Sequence, residues 1–576
     1  MYIVQNCWEQ GSPRTQNGKT LEGIGKEFVV VAGHQSSILE EMRHRWNLAV
    51  VGSALLLGVL VSTPQVLHVL DERYQGIAVH LNSDEYYYLP RVQEVLNGGS
   101  VGGAISGEAL PALQPGLIET FYGILFRPLE IRAAGVLNVM DFVVPVFLFF
   151  VLYGFLGSCG FSKWRALTGT WLFCLLQLYG LGRPIHQGAS LLLSILALWG
   201  LIEGMERRVI WGILGGVLMG LLVGVYFWAW TFVWAYWGLL MCVMIWRFVR
   251  GSRMELGKWF LFGGVGAMTA APFFWKMYLL RQHPLFDEVF FRSGMGRSHM
   301  VESIPWSALF LLMAVGTVVI WMHEKKRREL YAVFFVVTVC AVLNQQVVHG
   351  IRFLFASHYL MWLVFGGVIA LVYVWRRYHW KHFLVTGASL IFLAGIAYDN
   401  RHVFEQWQIT KDDFSEQHLA SALPILDQLE RTTVLSDPAT SAFLASYTHH
   451  NVLFTPYIQH ELHSHRAIAE RYCLTQVAIP PQERRPGDAH VLIYGAAYDA
   501  IFDEEERQRV REQELTLVSD VCAEVDLHVA DFLTRYGVQY ILWDQKRHPE
   551  WHIERLRLNL EEVKREEEWM IWKVRS

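Results

Sequence analysis

The chain has 576 residues, 53% of them hydrophobic and 18% charged, with a formal net charge of -4. Globular chains average about 45–50% apolar and about 25% charged. The apolar excess here gathers in blocks, which argues for membrane spans over one large soluble core, and the slightly acidic balance gives nucleic acid no footing.

Residues 1–46 are mostly polar. The first long apolar run starts near Leu48, too late for a cleavable signal peptide, so we expect a cytoplasmic N-terminal segment. A span needs about 20 mostly apolar residues. Eleven segments qualify, some of them short: 48–70, 133–157, 165–181, 187–203, 209–225, 227–247, 257–279, 305–322, 330–346, 356–375 and 382–398. Basic residues beside the spans set the orientation. Arg43, Arg45, Lys163, Arg165, Arg207, Arg208, Lys325 to Arg328, Arg376 and Arg377 all fall on one face if there are eleven spans, and that face is then cytoplasmic.

The opposite face receives a long first loop, 71–132, a second loop, 280–304, short links at 183–187 and 344–358, and a soluble tail from Asp399 onward. The expected fold is mostly α: a multi-pass transmembrane domain over 47–398, then an extracytoplasmic α/β domain over 399–576. The tail alternates β-like runs at 433–435, 451–454, 491–494, 540–543 and 569–574 with polar helical stretches such as 503–514. Cys473 and Cys522 lie in this polar part and can pair if it is exported. Cys159, Cys174, Cys242 and Cys340 lie in or beside apolar spans and read as small buried hydrophobes.

The first loop carries the most informative motif, Ser83-Asp84-Glu85-Tyr86-Tyr87-Tyr88-Leu89-Pro90-Arg91. Pro90 suits a first helical position, so a helix over 90–96 is expected, ending at Asn97-Gly98-Gly99, with Asp84 and Glu85 in the turn before it. The tyrosines suit an interface, apolar in the ring and polar at the hydroxyl. Segment 117–129 is apolar but shorter than a span, and it reads as a helix lying along the membrane.

This pattern resembles the GT-C class of integral-membrane glycosyltransferases. The likeness rests on the acid pair in the first exterior loop, the Tyr87-x-x-x-Arg91 element, the second loop helix, the many spans and a soluble C-terminal domain on the same side. The phrase at 83–89 is similar to the acidic signature of the protein-mannosyl and bacterial envelope-modifying branches. The resemblance implies a polyprenyl-phosphate-linked sugar donor, a lipid, glycan or protein acceptor, and inversion at the anomeric carbon.

Such a reaction needs a carboxylate to take the acceptor's proton and cations to receive the departing phosphate. Asp84 is the first candidate for the base, with Glu85 as acceptor-binding partner, and the two can exchange roles. Donor-phosphate candidates are Arg352, Arg281, Arg292, Arg297 and Lys276, all near the expected outer face. Tyr88, Arg91, His349 and His358 are further candidates. Asp141 falls inside the second span, where a carboxylate is costly, and reads equally as a second site acid or a structural hydrogen-bond partner. No complete metal-ligand set emerges, so no metal or other cofactor is expected. The expected setting is the plasma (inner) membrane, among membrane lipids, with the site outside the cytoplasm. A transporter or flippase, or a non-catalytic envelope assembly protein, would share the many spans. The first of these would favour internal symmetry, which the sequence lacks.

Overall fold

The structure is a computed structural model. It describes residues 47–80, 84–103, 112–185, 187–250, 253–324, 326–353, 356–375, 380–401, 407–408, 410, 412–455, 457–484, 493–495 and 498–575. Residues 1–53 and 54–576 form separate compact units. Of the first, only 47–53 are described, and all are helical. The expected N-terminal cytoplasmic segment, 1–46, lies outside the described residues.

Every one of the eleven apolar segments overlaps a helix. Among the described residues, five helices are long and apolar enough to cross a membrane: Asn47–Val69, Ala133–Ser158, Gln187–Glu206, Phe227–Val249 and Ile304–His323. Val209–Gly224, Glu329–Leu343, Leu360–Val374 and Leu384–Tyr398 are shorter apolar helices. Uniformly apolar runs form helices because each backbone bond closes within its own segment. Glycine then sets how closely two of them pack. Gly200 and Gly204 meet Gly215 and Gly212 of the next helix, and a Cβ at Gly204 would sit 2.3 Å from the Gly212 Cα.

The first loop is helical at both expected places. Its first helix, Glu85–Leu96, starts five residues before the expected one and takes Pro90 into its interior. The reason is burial: Tyr87, Leu89, Pro90, Arg91 and Val92 are all buried, and that outweighs the hydrogen bond proline cannot make. The helix stops as expected, with Asn97 as cap and Gly98 at φ +91°, a backbone region glycine enters without strain. Leu117–Phe126 is the second helix, continued by a turn over Arg127–Leu129. It buries Ile118, Glu119 and Tyr122 and exposes Phe121, Ile124 and Leu125, an apolar outer face suited to lipid.

The second loop meets the 344–358 link in a two-stranded antiparallel arch, β1 (Met295–Arg297) with β2 (Ile351–Phe353). The tail holds a five-stranded mixed sheet: β3 (Thr433–Leu435), β4 (Asn451–Val452), β5 (Val538–Asp544), β6 (Leu560–Arg565) and β7 (Trp569–Val574), in the order β4-β3-β5-β7-β6. β3 is parallel to β4 and β5, while β7 is antiparallel to both β5 and β6. Helices Pro438–Tyr447, His465–Gln476 and Glu504–Leu527 pack around it, capped by Asp437, Ser464 and Asp503 through side-chain oxygens. Cys473 and Cys522 form a disulfide between the last two helices. Of the expected strand at 491–494, residues 491–492 lie outside the described residues, and Ile493 and Tyr494 are helical. A short apolar run specifies burial, and Ile493 and Tyr494 are buried in the tail core.

Candidate active site

The acid pair divides. Asp84 is the N-terminal cap residue of Glu85–Leu96, and its backbone carbonyl accepts the N–H groups of Tyr87 and Tyr88. Its side chain makes no capping hydrogen bond, and Oδ2 lies 3.0 Å from Nη1 of Arg183. Glu85 instead places its charge near Asp141, Tyr86 and Tyr447. Asp141 is buried in its helix and accepts from Gln65 Nε2 at 2.5 Å. Its other oxygen, Oδ1, has no hydrogen-bond partner among the described residues.

Arg183 sits in the short link between two apolar helices, and three contacts fix it there. Tyr122 of the surface helix donates to the Pro184 carbonyl at 2.9 Å. The Arg183 carbonyl accepts from Gly188 N–H at 2.9 Å. The guanidinium reaches the Tyr179 hydroxyl at 3.5 Å and lies 5.4 Å from that ring's centre. Burial alone would lower the Arg183 pKa, but the charge of Asp84 and the Tyr179 contacts raise it above its ordinary value. The Nε of Arg183 is buried with no hydrogen-bond partner among the described residues. The cation beside Asp84 therefore keeps one donor unspent among the described residues.

An aromatic wall adjoins this pair. Tyr88 is buried near Asp84 and Tyr226, and that burial pushes its hydroxyl pKa far up, so it stays a neutral donor. Tyr226, within reach of the charges of Asp84 and Arg183, bonds His358 Nδ1 through its hydroxyl at 2.5 Å, with the rings stacked. Tyr359 follows, bonded to Thr231 at 2.6 Å and to Gln345 at 3.0 Å. The first loop, the 183–187 link, the residue before helix Phe227–Val249 and the 3-10 turn Ala356–Tyr359 thus bring Asp84, Tyr88, Arg183, Tyr226 and His358 together.

The remaining candidates lie elsewhere or are committed to other partners. Arg91 is buried and fully engaged: Nε donates to Glu119 at 2.8 Å, Nη1 to the Tyr87 hydroxyl at 2.6 Å, and Nη2 to the Gln114 and Pro115 carbonyls at 3.2 Å. It locks the two loop helices together. Arg292 is also buried, donating to the carbonyls of Gln459 at 2.7 Å and Glu461 at 2.6 Å, and burial lowers its pKa to about 10. It ties the second loop to the tail. Arg352 pairs with Glu302 at 3.3 Å. His349 accepts the Ile351 N–H at 3.1 Å through Nδ1. Lys276 and Arg281 are exposed near the end of Arg253–Arg281, and Arg297 closes β1 opposite Ile351. Among the described residues, no three His, Cys, Asp or Glu side chains converge in a way that would hold a metal ion.

Sequence reasoning missed Arg183, Tyr179 and Tyr226. Arg183 carries a readable signal, as the lone cation of a link too short to serve anything distant. Tyr226 does not, since nothing local separates it from the aromatic residues that follow.

No protein-family model and no curated protein matches the chain. Several solved structures are similar to it. The oligosaccharyltransferase of Archaeoglobus fulgidus in its apo form is 12% identical, with a TM-score of 0.46, over 87% of this chain and 70% of that one. The same organism's oligosaccharyltransferase AglB, in complex with an inhibitory peptide and a dolichol-phosphate, is 12% identical with a TM-score of 0.47, over 88% and 70%. ArnT from Cupriavidus metallidurans, bound to undecaprenyl phosphate, is 10% identical with a TM-score of 0.35, over 92% and 98%.

Proposed function

We propose that this protein is a membrane glycosyltransferase of the GT-C type. It would move a sugar from a polyprenyl-phosphate carrier to an acceptor hydroxyl at the outer face of the membrane. The observation that carries the reading is the Asp84–Arg183 pair, a part-exposed carboxylate 3.0 Å from a guanidinium with an unspent donor. General-base attack with a phosphate leaving group needs an acid for the acceptor's proton and a cation for the departing phosphate.

The chemistry runs as a single displacement. The acceptor oxygen attacks the anomeric carbon, and its proton passes to Asp84. The bond from that carbon to the phosphate oxygen breaks, and the polyprenyl phosphate leaves with its charge held by Arg183. In the resting protein Arg183 neutralises Asp84. When the donor phosphate takes the guanidinium's other donors, the carboxylate turns to the acceptor. Attack from the face opposite the leaving group inverts the anomeric centre. Glu85, whose charge reaches Asp141 and Tyr447, would bind the acceptor. Arg352, held by Glu302, is a second cation for the donor. Tyr88 and Tyr226 offer a wall for the sugar.

Two further observations support an outer-face site. The tail bonds directly to the first loop, as where Gln417 accepts the Gln75 and Ile77 N–H groups, so the two share one side. The tail also carries the Cys473–Cys522 disulfide, which suits an oxidising compartment beyond the plasma membrane.

The test is to incubate the purified protein with a panel of polyprenyl-phosphate sugars. Hydrolysis or transfer by the native chain and its absence in Asp84→Asn are expected. Equal turnover by both would reject Asp84 as the base, and no turnover with any donor would reject the class.

A further inference from the structure

We infer that the β1–β2 arch is seated in the membrane, with its apolar outer side chains among the lipid chains of the leaflet on the tail's side. One consequence rests on the polyprenyl-phosphate reading: Arg352 then stands near the depth of lipid phosphates and meets the donor as it enters sideways.

The polar groups of the arch bond across its two limbs. Met295 pairs with Phe353, Gly296 with Arg352 and Arg297 with Ile351. Beyond the strands, the Ser298 N–H donates to the Gly350 carbonyl at 3.0 Å, and His299 Nδ1 donates to the Val347 carbonyl at 3.1 Å. Gln346, buried, donates through Nε2 to the Met300 carbonyl at 3.1 Å. Asn344 Oδ1 accepts from Ser307 Oγ at 2.9 Å. The close approach needs Gly350, at φ +73°, where a Cβ would stand 2.7 Å from His299 Nε2. Glu302 and Arg352 offset each other's charge through two contacts of 3.3 Å. The apolar side chains are left outside. Val348 is 86% and Met300 71% exposed, and Val301, Ile304, Val347 and Ile351 are exposed with them. Polar groups bonded across the limbs and bare apolar side chains outside suit hydrocarbon and not water.

The position of the arch agrees. Helix Ile304–His323 has 20 residues and is apolar enough to cross a membrane. At 1.5 Å per residue it covers about 30 Å, the thickness of the hydrocarbon layer, so its ends lie near the edges of that layer. Trp306, with part of its ring exposed, marks the same edge, where tryptophan prefers to sit. Val301 precedes this helix by three residues (304 minus 301), and Val347 follows helix Glu329–Leu343 by four (347 minus 343). Four extended residues reach at most about 14 Å, so both limbs stay near the headgroups. Arg292, shortly before β1, donates to the tail carbonyls of Gln459 and Glu461, which puts the arch on the tail's side. A second copy of the chain would also cover apolar side chains. Lipid is favoured because the patch runs on into the span: Ile304, Leu311 and Val315, spaced by seven and four residues, share one helix face and are all exposed.

The experiment uses the full chain in nanodiscs of phosphatidylcholine and phosphatidylglycerol, with Cys242→Ser and Cys340→Ser lowering the thiol background. An environment-sensitive dye is attached to Val348→Cys or Met300→Cys, and to Glu505→Cys, exposed in the tail, as the reference. Lipids with a quencher high on the acyl chain should quench the dye at 348 and 300, and its emission should shift to the blue. Iodide in the water should quench it several times less than the dye at 505. Iodide quenching equal to that at 505, with none from the lipid, would overturn the seat. Shielding from both, with energy transfer between dyes in nanodiscs holding two copies, would assign the patch to a second copy and overturn it equally. Val348→Asp, read by the dye at 300, should lift the arch and lose the lipid quenching. The same variant should raise donor KM on the order of tenfold with kcat within about twofold. An unmoved KM would overturn the consequence for Arg352 while the depth result stands. If the native protein turns over no polyprenyl-phosphate sugar, the functional reading fails, and the quenching still decides the seat.

Discussion

Asp84 and Arg183 form an ion pair of 3.0 Å that joins the first loop to the link between two apolar helices, with Asp84 35% and Arg183 20% exposed. Neither partner is sealed off, so the pair can open for a ligand. That separates it from Arg91–Glu119, where both members are buried. Asp84→Asn keeps the size and hydrogen-bonding reach but cannot take a proton, and kcat should fall by about 10²- to 10⁴-fold with thermal stability nearly unchanged. Steady-state kinetics alongside a melting curve checks both halves.

Arg183→Ala should lower kcat by about 10²- to 10³-fold and raise donor KM, because the leaving phosphate loses its counter-charge both at rest and in the transition state. Arg183→Lys keeps the charge without the fork of donors and should recover only part of the loss. Full activity in Arg183→Ala would move the phosphate role to another cation, with Arg352 next to be tested.

The buried Arg91–Glu119 pair predicts an effect on stability. Arg91→Ala takes the guanidinium from the buried Glu119 carboxylate and should cost about 3–5 kcal/mol. Replacing both partners together, Arg91→Met with Glu119→Leu, should recover much of it, since the buried carboxylate goes with its arginine. Thermal unfolding in detergent reads this directly. A double variant no better than the single one would mean that the arginine's bonds to Gln114 and Pro115 matter more than the charge pair.

The apolar helices were legible because length and hydrophobicity are local properties, and the eleven segments fall on helices for that reason. Asp84 stood out for its unusual company. Arg183 did not, since its partner is in another part of the chain and only the fold joins them. The same holds for Gln417 and the backbone of Gln75 and Ile77. Pro90 misled because a local rule for helix starts met a tertiary demand for burial. Strand β6, Leu-Glu-Glu-Val-Lys-Arg, escaped notice because it is an edge strand, paired only with β7 and charged where it faces water.

His548 carries a pH dependence in the tail. Its Nε2 lies 3.4 Å from Asp437 and its Nδ1 2.8 Å from Glu550. Burial opposes the charged ring, but the two carboxylates outweigh it and raise the pKa from 6.5 to about 9. A group raised on folding stabilises fully below its unfolded pKa, and that contribution is lost as pH climbs through the folded one. The tail should therefore hold its stability at pH 6 and lose this part of it between about pH 6.5 and 9. His548→Gln should flatten that slope while lowering the melting temperature at pH 6. A wild-type slope in the variant would assign the dependence to another group.

The Cys473–Cys522 disulfide closes a segment of 49 residues between helices His465–Gln476 and Glu504–Leu527. Restricting the unfolded chain over such a loop is worth about 4 kcal/mol in the chain-entropy account. Cys473→Ser, Cys522→Ser and the double variant should therefore destabilise the tail about equally, because each removes the same bond. Reductant should lower the melting temperature of the native protein toward theirs and leave the three variants unmoved. The consequence for catalysis is indirect but measurable. Gln417 of the tail bonds the first loop that carries Asp84, so turnover should begin to fall at a lower temperature in the serine variants than in the native protein, while at low temperature their rates agree. A loss of turnover at all temperatures would instead mean that the bond shapes the site itself.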